Sequence, residues 1–182
     1  MTWMGRNDGS ASAGSRLSSP TAWRWAVDLV AVVLVLAACG GAGAPGVSGT
    51  RDVSFTDHGS TAQSRHDDAT PHVVVGASTS ARAELERLLG QVAVPDERVP
   101  IGVFQGQQRT GGYAIRVTRI VRADTTLEVH AAFTSPPPDA IVTMVLTSPA
   151  HLVSVARGDA EGLQRVVLLD QSGSQRVTVT GR

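Results

Sequence analysis

The chain has 182 residues, a mass of 18.9 kDa and a formal net charge of zero, with 16 basic and 16 acidic side chains. This length accommodates one domain together with a targeting segment. A hydrophobic content of 42% excludes a largely disordered chain. The neutral charge balance, without an Arg-rich stripe, argues against nucleic acid as a partner.

Residues 1–38 are typical of an export signal. Three arginines, Arg6, Arg16 and Arg24, precede the apolar run LVAVVLVLAA at residues 29–38. A run of this length matches the core of a signal peptide. It is too short for a bilayer, which requires about 20 apolar residues. The pattern therefore predicts a signal peptide rather than a transmembrane helix.

Cys39, the only cysteine of the chain, follows this run directly. The sequence Leu36-Ala37-Ala38-Cys39 is typical of a lipobox, whose cysteine receives diacylglycerol before the leader is removed. Two acyl chains hold a protein durably at a membrane. We therefore expect a lipoprotein anchored through Cys39 on the extracytoplasmic side of the cell membrane. The alternative is an ordinary secretory signal in which Cys39 is incidental.

The remainder divides into a predicted flexible tether at residues 39–70, rich in Gly, Ala and polar residues, and a predicted domain at residues 71–182. Near the start of this domain, residues 78–89 have helical periodicity. Thr79 or Ser80 can cap the helix, and Gly90 follows as a stop signal. The side chains expected on its apolar face are Ala81, Leu85, Leu88 and Leu89.

Alternating apolar residues and turn signals predict β-strands in the rest of the domain. These are placed at residues 72–75, 99–105, 113–121, 126–133, 141–146, 152–156, 164–169 and 176–180. Within the third of these, strict alternation would put Tyr113, Ile115, Val117 and Arg119 on one face. The predicted fold class is mainly β (α+β), an antiparallel β-rich domain of about seven strands with one packed helix.

Three motifs in this domain resemble a known family. The first is VFQGQQRTGGY at residues 103–113, the second is the proline turn at residues 135–138, and the third is VTMVLTSPAHLV at residues 142–153. In this order and spacing they resemble the PrcB C-terminal domain family of bacterial exported proteins, over residues 99–157. The resemblance implies a non-catalytic accessory role, because the family's namesake is a lipoprotein subunit that supports assembly of a surface subtilisin-like protease complex. It therefore implies an exported protein partner, with a protease as a hypothesis.

The TGGY turn is the candidate binding site, formed by Thr110, Gly111, Gly112 and Tyr113. Two consecutive glycines can take positive φ without steric cost, so the turn is expected to bend tightly and to expose backbone N–H and C=O groups. A turn needed only for folding is the simplest interpretation. A recognition loop is the alternative, in a protease inhibitor that acts through residues 110–113. A second alternative for the protein is a lipoprotein that binds a small ligand or the cell wall, which a deep apolar pocket would favour.

Other polar clusters do not predict chemistry. The spacing of His58, His66, Asp67, Asp68 and His72 matches no metal-ligand signature, so no metal site and no cofactor are predicted. No G-x-S-x-G pattern occurs, and no catalytic residue is predicted. His130 and His151 are expected to be hydrogen-bonded structural residues. Arg109, Arg116, Arg119 and Arg122 are interpreted as a solvated β face.

Overall fold

A computed structural model describes residues 49–180. The predicted signal peptide, Cys39 and the first part of the predicted tether lie outside these residues. The described elements are β1 (Thr50–Asp52), β2 (Phe55–Thr61), β3 (His72–Val75), α1 (Thr79–Leu89), β4 (Arg98–Phe104), β5 (Ala114–Ala123), β6 (Thr126–Thr134), β7 (Ala150–Ala156), the single turn α2 (Arg157–Ala160), β8 (Arg165–Leu169) and β9 (Gln175–Thr180). No helix in this range is long and apolar enough to cross a membrane.

The strands form two sheets that share one apolar core. One sheet has five strands in the order β1-β5-β6-β8-β9, and the other has four in the order β2-β7-β4-β3. All neighbours are antiparallel except β6 and β8, because the chain crosses to the other sheet and back between them. Side chains of both sheets meet in the core, including Ile101, Val103 and Val153 from the four-stranded sheet and Ile115, Leu127 and Leu168 from the five-stranded sheet. The mainly β fold class is confirmed.

Helix α1 covers the outer face of the four-stranded sheet. Its N-cap is Ser78, whose side chain accepts a hydrogen bond from the N–H of Ala81, one residue before the predicted caps. Leu85 and Leu88 are buried in a second apolar cluster, and each contributes about 2 kcal/mol through its burial. A Cβ on Gly102 would lie 2.4 Å from Leu85 Cδ2, so this close approach of helix and sheet requires glycine.

The predicted tether is wrong for residues 50–61. These residues form β1, which pairs with β5, and β2, which pairs with β7. The domain therefore begins at Thr50 and not near residue 71. Both strands are edge strands with mostly exposed side chains. Their backbone hydrogen bonds hold them in the sheets, so they lack the apolar alternation by which strands are recognised in a sequence.

The predicted strand at residues 141–146 is also wrong. The other predicted strands all occur, with ends shifted by at most two residues. Between Thr134 and Ala150, however, the chain forms a long loop without a named strand. Only Thr147 and Ser148 in this loop make isolated β-bridges, to Gln108 and Gln63 respectively.

Strand β5 departs from the predicted alternation because it contains a β-bulge. Val117 pairs with Ala131 and Arg119 pairs with His130, so Thr118 is the extra residue. After the bulge the inward and outward positions are exchanged. Arg119 therefore points to solvent, and the prediction that it shares a face with Val117 is wrong.

Candidate functional site

The TGGY turn is tight, and part of its backbone is hydrogen-bonded to a neighbouring loop. Gly112 alone of the two glycines has positive φ, at +89°. The N–H of Gly111 donates to the carbonyl oxygen of Thr143 at 2.9 Å. The hydroxyl of Thr147 donates to the carbonyl oxygen of Thr110, also at 2.9 Å. The expectation that the turn exposes its backbone groups is therefore wrong for the Gly111 N–H and the Thr110 carbonyl, which the loop at residues 135–149 occupies, whereas Gly112 is exposed.

Both glycines permit a close approach of this loop. A Cβ on Gly111 would lie 2.6 Å from Thr143 Oγ1. A Cβ on Gly112 would lie 2.9 Å from Pro136 Cβ and 3.4 Å from Val142 Cγ1. Tyr113 is half-buried at the end of the turn. The turn thus serves as a platform for the loop, and its predicted role in binding stays a prediction.

The loop carries the large hydrophobic residues that are most exposed in the described chain. Ile141 is 104% exposed, Met144 86%, Val145 48% and Leu146 57%. Val142, by contrast, is half-buried against the TGGY turn. At ~100 Å² for each aliphatic side chain, these fractions give an apolar surface on the order of 300 Å². Patches of this size on a monomer are often functional. We call residues 141–146 the apolar segment.

The apolar segment is the part of the candidate site that the sequence prediction missed. Its composition, IVTMVL, is typical of a buried strand, and a buried strand would place its side chains in the core. The structure instead places them on the surface beside the TGGY turn. The flanking proline turn and Pro149 were the sequence signals that a loop spans this region.

His151 links the two sheets below this site. It lies on β7, is 2% exposed, and its Nδ1 accepts a hydrogen bond of 3.0 Å from the N–H of Val117 on β5. The bulge in β5 releases this N–H from the strand pairing. Since Nδ1 is an acceptor, Nε2 carries the proton and donates to Asp57 Oδ1 at 3.0 Å. The expectation of a structural, hydrogen-bonded histidine is confirmed for His151.

The carboxylate of Asp57 on β2 collects several donors. The N–H of Gly59 donates to it at 2.8 Å, and Arg116 Nη2 lies 3.0 Å from its second oxygen. The Gly59 hydrogen bond is the largest cause that lowers the pKa of Asp57; desolvation opposes it, and the His151 hydrogen bond and the charge of Arg116 lower the pKa further. His151 therefore lies between a fixed backbone donor and the carboxylate of Asp57. This arrangement is structural, because it leaves no ring nitrogen free for proton transfer.

His130 lacks such an arrangement. Its ring nitrogen lies 3.9 Å from the carboxylate of Glu128, which is beyond hydrogen-bonding distance. The expectation of a hydrogen-bonded structural residue therefore fails for His130.

Ser154 and His58 form a pair that the sequence did not suggest. Ser154 Oγ and His58 Nε2 are 2.8 Å apart, as a nucleophile and its base would be. However, Ser154 is fully buried, and its Oγ also accepts a hydrogen bond from Arg98 Nε at 2.8 Å. A substrate carbonyl has no access to this oxygen, so the pair connects β2, β4 and β7 and is not a catalytic dyad.

The histidines and aspartates considered for metal binding are not brought together. His58 contacts Ser154, whereas the rings of His66 and His72 stack at 5.4 Å. Burial is the main cause that lowers the pKa of His72, and the charge of His66 adds to it. Within residues 49–180 no group of three or more potential metal ligands occurs.

The arginines of β5 are mostly solvated, as predicted. Arg116 and Arg119 are exposed and pair with Asp57 and Asp52. Exposed pairs of this kind contribute little to stability. Arg122 instead donates to the carbonyl oxygens of Asp159 and Glu161, and so fixes the turn α2.

A groove of about 710 Å³ lies between the edge strand β3, the start of α1, and β8 with β9. Its lining mixes aliphatic residues such as Val75 and Val179 with the charged residues Glu84 and Arg165. The hypothesis of a small-ligand-binding lipoprotein called for a deep apolar pocket, and a groove of mixed polarity does not supply that support.

Comparison with known proteins assigns the region that contains these features. The family model described as PrcB C-terminal matches residues 100–156. Neither the curated proteins nor the solved structures give a match. The matched residues run from β4 to the end of β7 and include the TGGY turn, the apolar segment and His151. Through residues 100–156, the chain is similar to the PrcB C-terminal family.

Proposed function

We propose that this protein is a non-catalytic lipoprotein, anchored in the cell membrane through Cys39, that binds another exported protein through the apolar segment. The similarity of residues 100–156 to the PrcB C-terminal family supports an accessory role in a protease complex, in which the protein supports assembly or stability. The partner in this proposal is therefore an exported protein, with a protease as the first candidate.

The exposure of the apolar segment carries the proposal. Covering an aliphatic side chain fully contributes about 2 kcal/mol, so covering these four partly exposed ones contributes on the order of 6 kcal/mol before the cost of association. The largest apolar patch of a typical monomer covers about 300–600 Å² and is often functional. A protein surface that covers Ile141, Met144 and Leu146 explains why they are not buried in the domain's own core.

The lipid on Cys39 holds the apolar segment at the outer face of the cell membrane, where an exported protein partner occurs. The lipobox at Cys39 and the spacer between Cys39 and Thr50 support a domain that lies at the extracytoplasmic surface of the cell membrane. The single cysteine supports lipidation, since a lipidated thiol cannot be oxidised. Mass spectrometry of the mature N-terminus tests the anchor, because an unmodified Cys39 or a retained Trp25 contradicts it.

A crosslinked pull-down from membranes tests the binding. Met144→Asp and Ile141→Asp place a charge on the apolar segment, and Ala83→Asp places the same charge on an exposed position of α1. We expect the first two variants to lose at least tenfold of a crosslinked exported protein that Ala83→Asp retains. Equal recovery with all three variants, at equal amounts of folded protein, contradicts the proposal.

A further inference from the structure

The backbone N–H groups of the apolar segment are unpaired, just as most of its side chains are uncovered. Among the described residues, none of the backbone N–H groups from Ile141 to Leu146 has a hydrogen-bond acceptor. The chain neither turns nor bends sharply over these six residues. The hydrogen bonds of Thr143 and Thr147 lie on one side and that of Leu146 on the other, which is the alternation of an extended chain. Extended segments of β-branched and aliphatic residues normally pair with a neighbouring strand.

The contacts at both ends of the segment show which edge is open. Backbone groups alternate between the two edges of an extended chain. The carbonyl oxygen of Thr143 accepts from Gly111, and Thr147 exchanges two hydrogen bonds with Gln108. The odd-numbered residues therefore face the TGGY turn, and the N–H and C=O groups of Val142, Met144 and Leu146 face away from it.

The edge that faces away from the TGGY turn already pairs with a neighbouring segment a little further along the chain. Ser148 donates to the carbonyl oxygen of Ala62 and accepts from the N–H of Ser64, directly after β2. The side chain of Gln63 donates to the carbonyl oxygen of Leu146 at 3.1 Å. The segment after β2 does not continue this pairing toward the start of the loop. The edge is therefore open at Met144 and Val142.

We propose that this open edge accepts an extended strand of the exported partner, so that binding occurs by strand addition. This inference rests on the proposed function and deepens it, because it names the form of the partner's binding segment. The partner strand would exchange main-chain hydrogen bonds with Val142 and Met144 and place apolar side chains against Ile141, Met144 and Leu146. Main-chain pairing supplies affinity in such complexes, and the alternate side chains supply specificity.

The size of the patch favours a strand over a second copy of the protein. A stable interface between two folded proteins buries about 800 Å² on each partner. The apolar segment offers on the order of 300 Å² of apolar side-chain surface. A linear segment that adds main-chain hydrogen bonds requires less area, because it docks along six residues only. Edges of this kind are otherwise protected in monomers by charges or bulges, and residues 140–148 contain no charged side chain.

Hydrogen exchange of the full chain with a defined peptide tests the inference. The probe is a capped octapeptide of alternating Val and Thr, and its control is the same peptide N-methylated at every backbone amide. We expect the unmethylated peptide to slow exchange at Met144 and Val142 at least tenfold and the methylated peptide to have no effect. Equal protection by both peptides, or protection by neither, overturns strand addition.

Two proline variants provide a matched control in the protein. Met144→Pro removes an N–H of the open edge, and Val145→Pro removes an N–H that faces the TGGY turn without an acceptor. Only Met144→Pro should abolish protection by the peptide, provided that both variants keep the wild-type urea midpoint. Equal loss of protection in both variants overturns the inference. It is also overturned if phosphatidylglycerol vesicles protect the same amides without peptide, or if these amides become protected as the protein concentration rises.

These outcomes are separable from failure of the proposed function. If Met144→Asp loses the exported partner while the methylated peptide binds as well as the unmethylated one, binding is through side chains alone. In that case the proposed function stands and strand addition is wrong.

Discussion

Replacing His151 should destabilise the domain in a way that measures its link between the sheets. His151→Leu keeps most of the side-chain volume but removes both ring nitrogens. The N–H of Val117 would then be buried without an acceptor, which costs about 1–3 kcal/mol. The hydrogen bond to Asp57 would also be lost, but this carboxylate is 38% exposed and water can replace the donor. We therefore expect His151→Leu to lower the free energy of unfolding by about 2–3 kcal/mol.

The assay is urea unfolding of protein that begins after Cys39, followed by far-UV circular dichroism. His130→Leu is the matched control, since His130 lies on β6, which pairs with β5, and its ring makes no close hydrogen bond. It should change the free energy of unfolding by no more than about 0.5 kcal/mol. His151→Ala should cost a further 1–2 kcal/mol or so, because it also leaves a cavity. Equal effects of His151→Leu and His130→Leu would refute the role assigned to the histidine.

The remaining predictions concern a glycine, a helix cap and a carboxylate. Gly112→Ala should cost about 1–2 kcal/mol in urea unfolding, because φ is +89° and the new Cβ meets Pro136, whereas Gly158→Ala, which meets nothing within 4 Å, should be nearly neutral. Ser78→Ala should cost about 1 kcal/mol through loss of the helix cap, measured as a shift in the thermal midpoint. Because the pKa of Asp57 is lowered on folding, its ionised form stabilises the domain above the unfolded pKa of about 4, and this contribution is lost as the pH falls through the lower folded pKa. Asp57→Asn should therefore flatten the fall of the urea midpoint below about pH 4, and an unchanged slope would contradict the assignment.

Elements that bury an apolar face could be predicted from the sequence. Helix α1 has Leu85 and Leu88 at helical spacing and a stop at Gly90, and it was predicted to within one residue. Strand β6 alternates Leu127, Val129 and Ala131 inward, and this period is what the prediction used. In both cases the contact that stabilises the element is also the pattern that reveals it.

The edge strands β1 and β2 could not be predicted in this way. Their stability comes from backbone pairing with β5 and β7, which any sequence can provide. The same limit applies to the His151 link, since its partner Asp57 lies 94 residues away in the sequence. The bulge at Thr118, which frees the N–H of Val117, likewise has no signal in the local alternation.

The apolar segment is the most informative failure of prediction. IVTMVL has the β-branched and aliphatic composition of a strand, and yet within residues 49–180 it has no strand to pair with at its outer edge. Disagreement between local preference and observed structure is expected at functional sites. The sequence thus indicates a tendency to pair, and in our proposal the partner that satisfies it is another protein.

Site-specific photocrosslinking in intact cells tests the central claim, that the apolar segment contacts an exported protein. A photoreactive amino acid replaces Met144 in one strain and Glu86, an exposed residue of α1, in another. The account predicts a discrete crosslink to one exported protein from position 144 and none from position 86. Crosslinks to phospholipid alone from position 144, or the same adducts from both positions, would contradict it.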